Sequence, residues 1–222
     1  MAPRTVRGVS VVQSVNVGVA RAISPRSGLT GIDKRPVDGP VAVDVPEPTR
    51  SGLAGDDICD ARFHGGPGQA VYAYAREDLD VWGPELGPVG AGVFGENLTT
   101  SGVDITGAVV GERWRVGRSL LLEVTTPRLP CNTFAVWLER RGWIKRFTAE
   151  GRPGTYLRVL EPGPVQAGDA VTVVGRPAHG ITVGTTFRAF TTRRDLLPML
   201  LAVDDLQSDV RAHAEQRAGV HA

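Results

Sequence analysis

Seven short apolar runs, each bounded by glycine or proline, restrict this chain to a fold built from many strands and tight turns. The runs are Val9 to Val19, Val41 to Val45, Val71 to Ala75, Arg113 to Val116, Leu120 to Thr125, Tyr156 to Leu160 and Ala170 to Val174. In the first, Val9, Val11, Val15, Val17 and Val19 take odd positions while Ser10, Ser14 and Asn16 take even ones, the period of two of a half-buried strand. Most of the runs are separated by turn formers: Asp38-Gly39-Pro40, Gly65-Gly66-Pro67-Gly68, Gly107, Gly117, Gly151 to Gly154 and Pro162-Gly163-Pro164. Glycine and proline make up about a fifth of the 222 residues, against a usual share of roughly an eighth. The glycines follow no period of three and 41% of residues are hydrophobic, which excludes collagen and a flexible linker. A barrel or sandwich fits this spacing better than a repeated β-α-β unit.

Helical patterns interrupt the strands at Arg76 to Leu86 and at Thr133 to Arg141, where Phe134, Trp137, Leu138 and Arg141 recur at spacings of three and four. From Ile181 onward the strand spacing ends. About Val183 to Phe190, Arg194 to Val203 and Leu206 to Ala218 read as three helices appended to the β region. With 25 Lys plus Arg against 24 Asp plus Glu, the net charge of +1 gives no overall attraction to nucleic acid or an anionic membrane. Lys34 and Lys145 are the only lysines, so positive charge is nearly all arginine. That suits bidentate phosphate contacts, and a skewed genomic base composition would produce it equally. No apolar run approaches the roughly 18 residues of a membrane span, and residues 1 to 20 do not read as a signal peptide. Two cysteines, Cys59 and Cys131, without metal-ligand spacing exclude a disulfide framework and a zinc ribbon and point to a cytoplasmic location.

The strongest chemical candidate is Cys131, in Pro127-Arg128-Leu129-Pro130-Cys131-Asn132, between the strand pattern at Leu120 to Val124 and a helix. Such a turn, with Arg128 close by, favours thiolate, the form that attacks electrophiles and ligates soft metals. A small buried hydrophobe is the alternative reading of such a cysteine. Cys59 lies among Asp56, Asp57 and Asp60, which would raise a thiol pKa, and reads as a bystander. Phe63-His64-Gly65-Gly66-Pro67-Gly68-Gln69-Ala70, with Arg62 immediately before it, could cradle an anion with charge and backbone N–H groups, or be a turn with a solvent-facing histidine. Gly151-Arg152-Pro153-Gly154-Thr155-Tyr156-Leu157-Arg158 is a second Gly/Arg loop suited to phosphate, and Gly95-Glu96-Asn97-Leu98 reads as a polar loop. No phosphate-binding P-loop, dinucleotide fingerprint or Ser/His/Asp order is present.

Taken in order, Gly52-Leu53-Ala54-Gly55-Asp56, Arg62-Phe63-His64-Gly65-Gly66, Phe94-Gly95-Glu96-Asn97-Leu98, Pro127-Arg128-Leu129-Pro130-Cys131 and Gly151 to Arg158 resemble the motifs of the MOSC family. That family is named from the C-terminal part of molybdenum cofactor sulfurase. The resemblance is to its bacterial stand-alone members associated with resistance to 6-N-hydroxylaminopurine; Lys34 to Pro40 looks like the segment near their start, and the match runs from about Val9 to Val174. It implies a mainly β MOSC-type β-barrel over residues 1–178, with a few short helices, and a three-helix domain over residues 179–222. It implies Cys131 as ligand to the molybdenum of a pterin-dithiolene cofactor. Lys34, Arg62, His64, Gly65, Gly66, Asn97, Arg128, Asn132, Arg152 and Thr155 are its expected binding residues. The implied activity is an oxidoreductase that removes an N-bound hydroxyl from base analogues or hydroxylamines, a detoxification. Electrons would come from an external donor, a flavoprotein reductase, because the chain carries no flavin or nicotinamide fingerprint. A Cys131 persulfide acting as sulfur carrier, or cofactor carriage without catalysis, are the alternatives. Neither nucleic acid nor membrane is an expected partner, and a homodimer is left open.

Overall fold

Most of the apolar runs become strands of one large mixed sheet, with burial alternating along some and continuous along others. The computed structural model describes residues 9–24, 28–47, 50–59, 65–204 and 206–219. In chain order the strands are β1 (Val11–Gly18), β2 (Arg21–Ala22), β3 (Leu29–Thr30), β4 (Lys34–Pro36), β5 (Val41–Val43), β6 (Val71–Ala75), β7 (Leu98–Ser101), β8 (Arg113–Val116), β9 (Leu120–Pro127), β10 (Thr155–Glu161), β11 (Gly163–Val165) and β12 (Val171–Gly175). The helices are α1 (Arg76–Asp80), α2 (Gly83–Leu86), α3 (Asn132–Trp137), α4 (Trp143–Glu150), α5 (Val183–Thr191), α6 (Leu197–Leu201) and α7 (Ser208–Ala218).

Eight strands pair in the order β12-β8-β9-β10-β6-β7-β1-β4, and β11 with β5 and β2 with β3 form separate pairs. An isolated bridge joins Val11 to Ala170; beside it the Val12 N–H donates to the Asp169 carbonyl and the Val171 N–H to the Ser10 carbonyl, each at 2.8 Å. The sheet thus curls back toward its own edge. No continuous ladder among the described residues closes it, so what forms is a large mixed sheet and not the closed barrel expected.

β1 departs from its odd-even pattern: Val12, Val15 and Asn16 are fully buried, whereas Val9 and Val19 are exposed. Its register against β7 shifts between Val12 and Ser14, and one extra residue in a strand moves the following side chains to the other face. Gly163 and Pro164, expected in a turn, pair instead with β5. The expected helix over Arg76 to Leu86 is split into α1 and α2, with Pro84 in the first turn of the second, and α4 was not anticipated at all.

β6 is buried along its whole length. Val71, Ala73 and Ala75 enter the sheet core with Val12, Leu98, Leu122 and Leu157, while Tyr72 and Tyr74 enter an aromatic cluster with Trp82, Phe94, Phe134, Trp143 and Phe147. Successive side chains of a strand point to opposite faces, so one strand joins two cores. Phe94 lies at that cluster's centre, 5.1 Å from the Phe134 ring and 5.2 Å from the Tyr74 ring, both edge to face. β6 and β7 run parallel, which requires a long crossover; α1, α2 and the turn before Leu98 supply it, and that turn borders the cleft described below.

The C-terminal helices follow the expected spans closely. Phe190, Leu197, Leu200, Leu206, Val210 and Ala214 form a third apolar cluster with Val110 and Ile181. Leu129, two residues before Cys131, packs against both this cluster and the aromatic one. Among the described residues no helix is long and apolar enough to cross a membrane.

Candidate functional site

A cleft of about 640 Å3, part of it open to solvent, lies where the turn after β9, the start of β7, the face of β6 and the segment between β3 and β4 meet. Cys131, Arg128, Asn97, Lys34 and Gly65 line it. Five of the residues expected from sequence are therefore brought together from points far apart in the chain.

Cys131 immediately precedes α3 in extended backbone. Pro127 and Pro130 help hold the turn there, since each fixes its own φ and restricts the residue before it. Arg128 is 5% exposed, and its Nη1 donates to the Phe94 carbonyl. Its guanidinium stands 4.1 Å from the centroid of the Phe134 ring and 5.2 Å from that of Tyr72. Among the described residues it forms no ion pair. Burial opposes its charge, but Tyr72, Tyr156 and the Cys131 sulfur together hold it above the ordinary arginine value. Burial likewise pushes the Tyr156 phenol up, Arg128 pulls it back, and Cys131 raises it again. A permanent positive charge and a thiol thus share one wall of the cleft.

Gly95 borders that charge and is required by its own backbone: its φ is +76°, and a Cβ built there would crowd Ile32 at 3.1 Å while meeting Arg128 Nη1 at an ordinary 3.9 Å. The turn holding Gly95 is organised by Glu96, which is fully buried. Its carboxylate accepts from the Gly92 N–H at 2.6 Å, the Phe94 N–H at 3.0 Å and the Thr99 hydroxyl at 2.9 Å. Burial raises its pKa and these donors pull it back, the net being upward.

On the opposite wall Asp56 gathers three partners. Lys34 forms an ion pair with its Oδ1, the Gly18 N–H donates to the same oxygen at 2.8 Å, and Asn97 Nδ2 donates to Oδ2 at 2.9 Å. The Tyr72 N–H donates to Asn97 Oδ1 at 3.0 Å. Lys34 and Asn97 therefore border the cleft while holding its framework together. Gln69 differs from them: it lines the cleft, and its Oε1 is shielded from solvent with no hydrogen-bond donor among the described residues.

Other expected residues stand elsewhere. Arg152 does not line the cleft; its Nη1 pairs with Asp78 at 2.6 Å and its Nε with Glu150 at 3.2 Å. The loop that carries it is a packing device. Tyr72 and Tyr74 hydroxyls donate to the Pro153 and Arg152 carbonyls at 2.8 and 2.6 Å. At Gly154, with φ +67°, a Cβ would fall 2.6 Å from the Ala73 carbonyl and under 3 Å from both rings. Thr155 is fully buried in β10, its hydroxyl donating to the Tyr156 carbonyl at 3.1 Å. Asn132 is exposed on α3, and Gly66 borders a neighbouring groove shared with Arg158 and Asp209. Arg62 and His64 lie outside the described residues. Sequence reasoning quoted Asp56, Gln69 and Tyr156 within motifs without assigning them to the site, and it read Tyr72 only as a strand residue; an aromatic position inside an apolar run was the available signal.

Together the fold and site define a small mainly β protein whose one cleft cysteine follows a strand, beside a buried arginine, with helices appended at the C-terminus. The profile of the MOSC domain matches residues 60–172, half of the chain. The chain belongs to the MOSC domain family. It is 33% identical to the uncharacterized protein YflK of Bacillus subtilis, over 69% of this chain and 67% of that one. It is 30% identical to a protein of Gibberella moniliformis named "Reductase" over 82% of this chain, yet it spans only 33% of that relative. The crystal structure of YiiM from Geobacillus stearothermophilus superposes with a TM-score of 0.75 at 27% identity, covering 94% of this chain and 98% of that one.

Proposed function

We propose that this protein binds a molybdenum pterin through Cys131 and Arg128 and reduces N-hydroxylated compounds. The observation that carries the reading is the shared cleft wall of Cys131 and Arg128, faced by the donorless Gln69 Oε1. Among the described residues no three His, Cys, Asp or Glu side chains cluster as a metal cage. A metal that arrives already held by dithiolene sulfurs needs a single soft ligand from the protein, and a cleft with one thiol fits that donor set. When bound, the cofactor supplies two-electron oxygen-atom transfer.

The chain's own residues do the rest. Arg128 offers a fixed positive charge to the anionic cofactor and favours the thiolate of Cys131 beside it. Gln69 would offer its Oε1 as an acceptor to a bound pterin, which would remove the cost of leaving that oxygen buried and unpaired. Asp56, Lys34 and Asn97 hold the opposite wall so that the cleft is shaped before the ligand enters. Overall, N–OH plus two electrons and two protons gives N–H plus water. The second curated relative, named a reductase and three times the length matched here, supports an oxidoreductase reading.

Metal analysis tests this in protein purified from a host able to make the pterin. Stoichiometric molybdenum is expected, lost in Cys131→Ala while the melting temperature of the cofactor-free form stays unchanged. Retained molybdenum and retained N-hydroxyl reduction in that variant would overturn the reading. A persulfide mass on Cys131 without metal would replace it with sulfur carriage.

A further inference from the structure

Each turnover of the proposed reaction takes two electrons, and on that reading an electron donor must reach the neighbourhood of Cys131. We infer that the exposed turn between α3 and α4 is the docking surface for an acidic flavoprotein electron donor. From Asn132 to Ala149 the chain carries four cationic side chains and one carboxylate, Glu139. Arg146 is held by Glu85 and Glu150 at 2.8 and 3.1 Å. Arg140, Arg141 and Lys145 are exposed and form no ion pair among the described residues. Between and beside them Val136 and Ile144 are 44% and 39% exposed. An apolar centre rimmed by uncompensated charge of one sign is the composition of a transient protein interface, where rim charges steer encounter.

Two further observations place this surface in relation to the cleft. α3 begins directly after Cys131 and ends at the basic turn, and at ~1.5 Å of rise per residue the turn stands on the order of 10 Å from the sulfur. Glu139 closes α3 with φ 52°, the one non-glycine residue with positive φ among those described, a conformation that L side chains rarely adopt. The Arg140 N–H returns to the Ala135 carbonyl at 3.2 Å, so the backbone reverses there and leaves Arg140 and Arg141 at the tip. Charge complementarity selects an acidic partner. A flavin donor satisfies the redox balance: its hydroquinone gives up two electrons and two protons, N–OH becomes N–H and water, and the oxidised flavin returns to its own reductant.

The experiment compares two electron sources on the cofactor-loaded protein, with an N-hydroxylated purine as substrate: reduced methyl viologen, and NADPH with an acidic diflavin reductase. The variants are Arg140→Glu/Arg141→Glu/Lys145→Glu and the same three positions changed to alanine. The charge-reversed variant should lose about tenfold or more of the flavoprotein-driven rate at low salt, the alanine variant less, and neither any viologen-driven rate. Added salt should slow the wild type toward the variants. Equal flavoprotein-driven rates in all three proteins would overturn the inference, as would a wild type driven by viologen and not by the flavoprotein. A dimer of the wild type that the charge-reversed variant dissolves would assign the face to a second copy and overturn it too. A wild type inactive with viologen would instead fail the reductase reading itself.

Discussion

Two loops of this protein carry the same ingredients, glycine, proline and arginine beside a strand end, and the fold uses them in opposite ways. In Pro127 to Asn132 the arginine turns inward without a carboxylate among the described residues: Arg128 rests on the rings of Phe134 and Tyr72 and on the Phe94 carbonyl, on the same wall of the cleft as Cys131. In Gly151 to Thr155 the arginine is neutralised by Asp78 and Glu150, and the loop's carbonyls and glycine clamp Tyr72 and Tyr74 from the far side. An arginine held by rings and a carbonyl keeps its charge for a ligand; one held by two carboxylates does not. The second loop still serves the first, because it fixes the tyrosine over which Arg128 lies.

The largest effect is expected from Arg128→Ala. It removes a buried side chain from between two rings and leaves the Phe94 carbonyl without its donor, at a cost of about 3 kcal/mol in urea unfolding. Molybdenum content should fall with it, and it should fall in Arg128→Lys as well, since an ammonium cannot reproduce the planar stack. Full cofactor loading in the lysine variant would show that the charge alone matters.

Arg152→Ala should be milder and one-sided. Asp78 keeps a side chain only 8% exposed after losing this partner, so a loss of roughly 1–2 kcal/mol is expected, with molybdenum per folded chain unchanged. Parallel loss of cofactor would break the contrast between the loops.

The smallest effect concerns pH. Because burial raises Glu96, the native state keeps this proton to higher pH than the unfolded chain does, and the group's contribution is full below the ordinary carboxyl value of 4.5. It declines as pH rises through the native value. Glu96→Gln removes that titration. Its stability deficit relative to wild type should therefore shrink as pH rises above about 4.5; a deficit that grows over the same range would contradict the upward shift.

The strand content was legible in two ways: Arg113 to Val116 alternates between solvent and core, and Val71 to Ala75, buried on both faces, is a short apolar run bounded by a turn; both are strands over those very residues. The helical tail was legible because strand spacing ends at Ile181 and Leu206 to Ala218 is rich in Ala, Glu, Gln and Arg, which favour helix. β7 was missed: Leu98-Thr99-Thr100-Ser101 is polar, and it becomes a strand by the parallel pairing with β6 that buries Thr99 and Thr100. α4 was missed because its apolar residues, Trp143, Ile144 and Phe147, are few and one of them faces solvent.

By itself, the sequence determined that this is a turn-rich β protein with a helical tail, and it singled out a cysteine in a proline-held turn beside an arginine. These are local properties, set by periodicity, φ restriction and neighbouring charge. Only the tertiary structure decided which arginine stands in the cleft, that Lys34 and Asn97 brace Asp56, and that Gln69 Oε1 is left without a donor. Those outcomes depend on which groups from distant segments meet and satisfy one another, and the crossover between β6 and β7 and the packing on Phe94 set those meetings, not the spacing of residues along the chain.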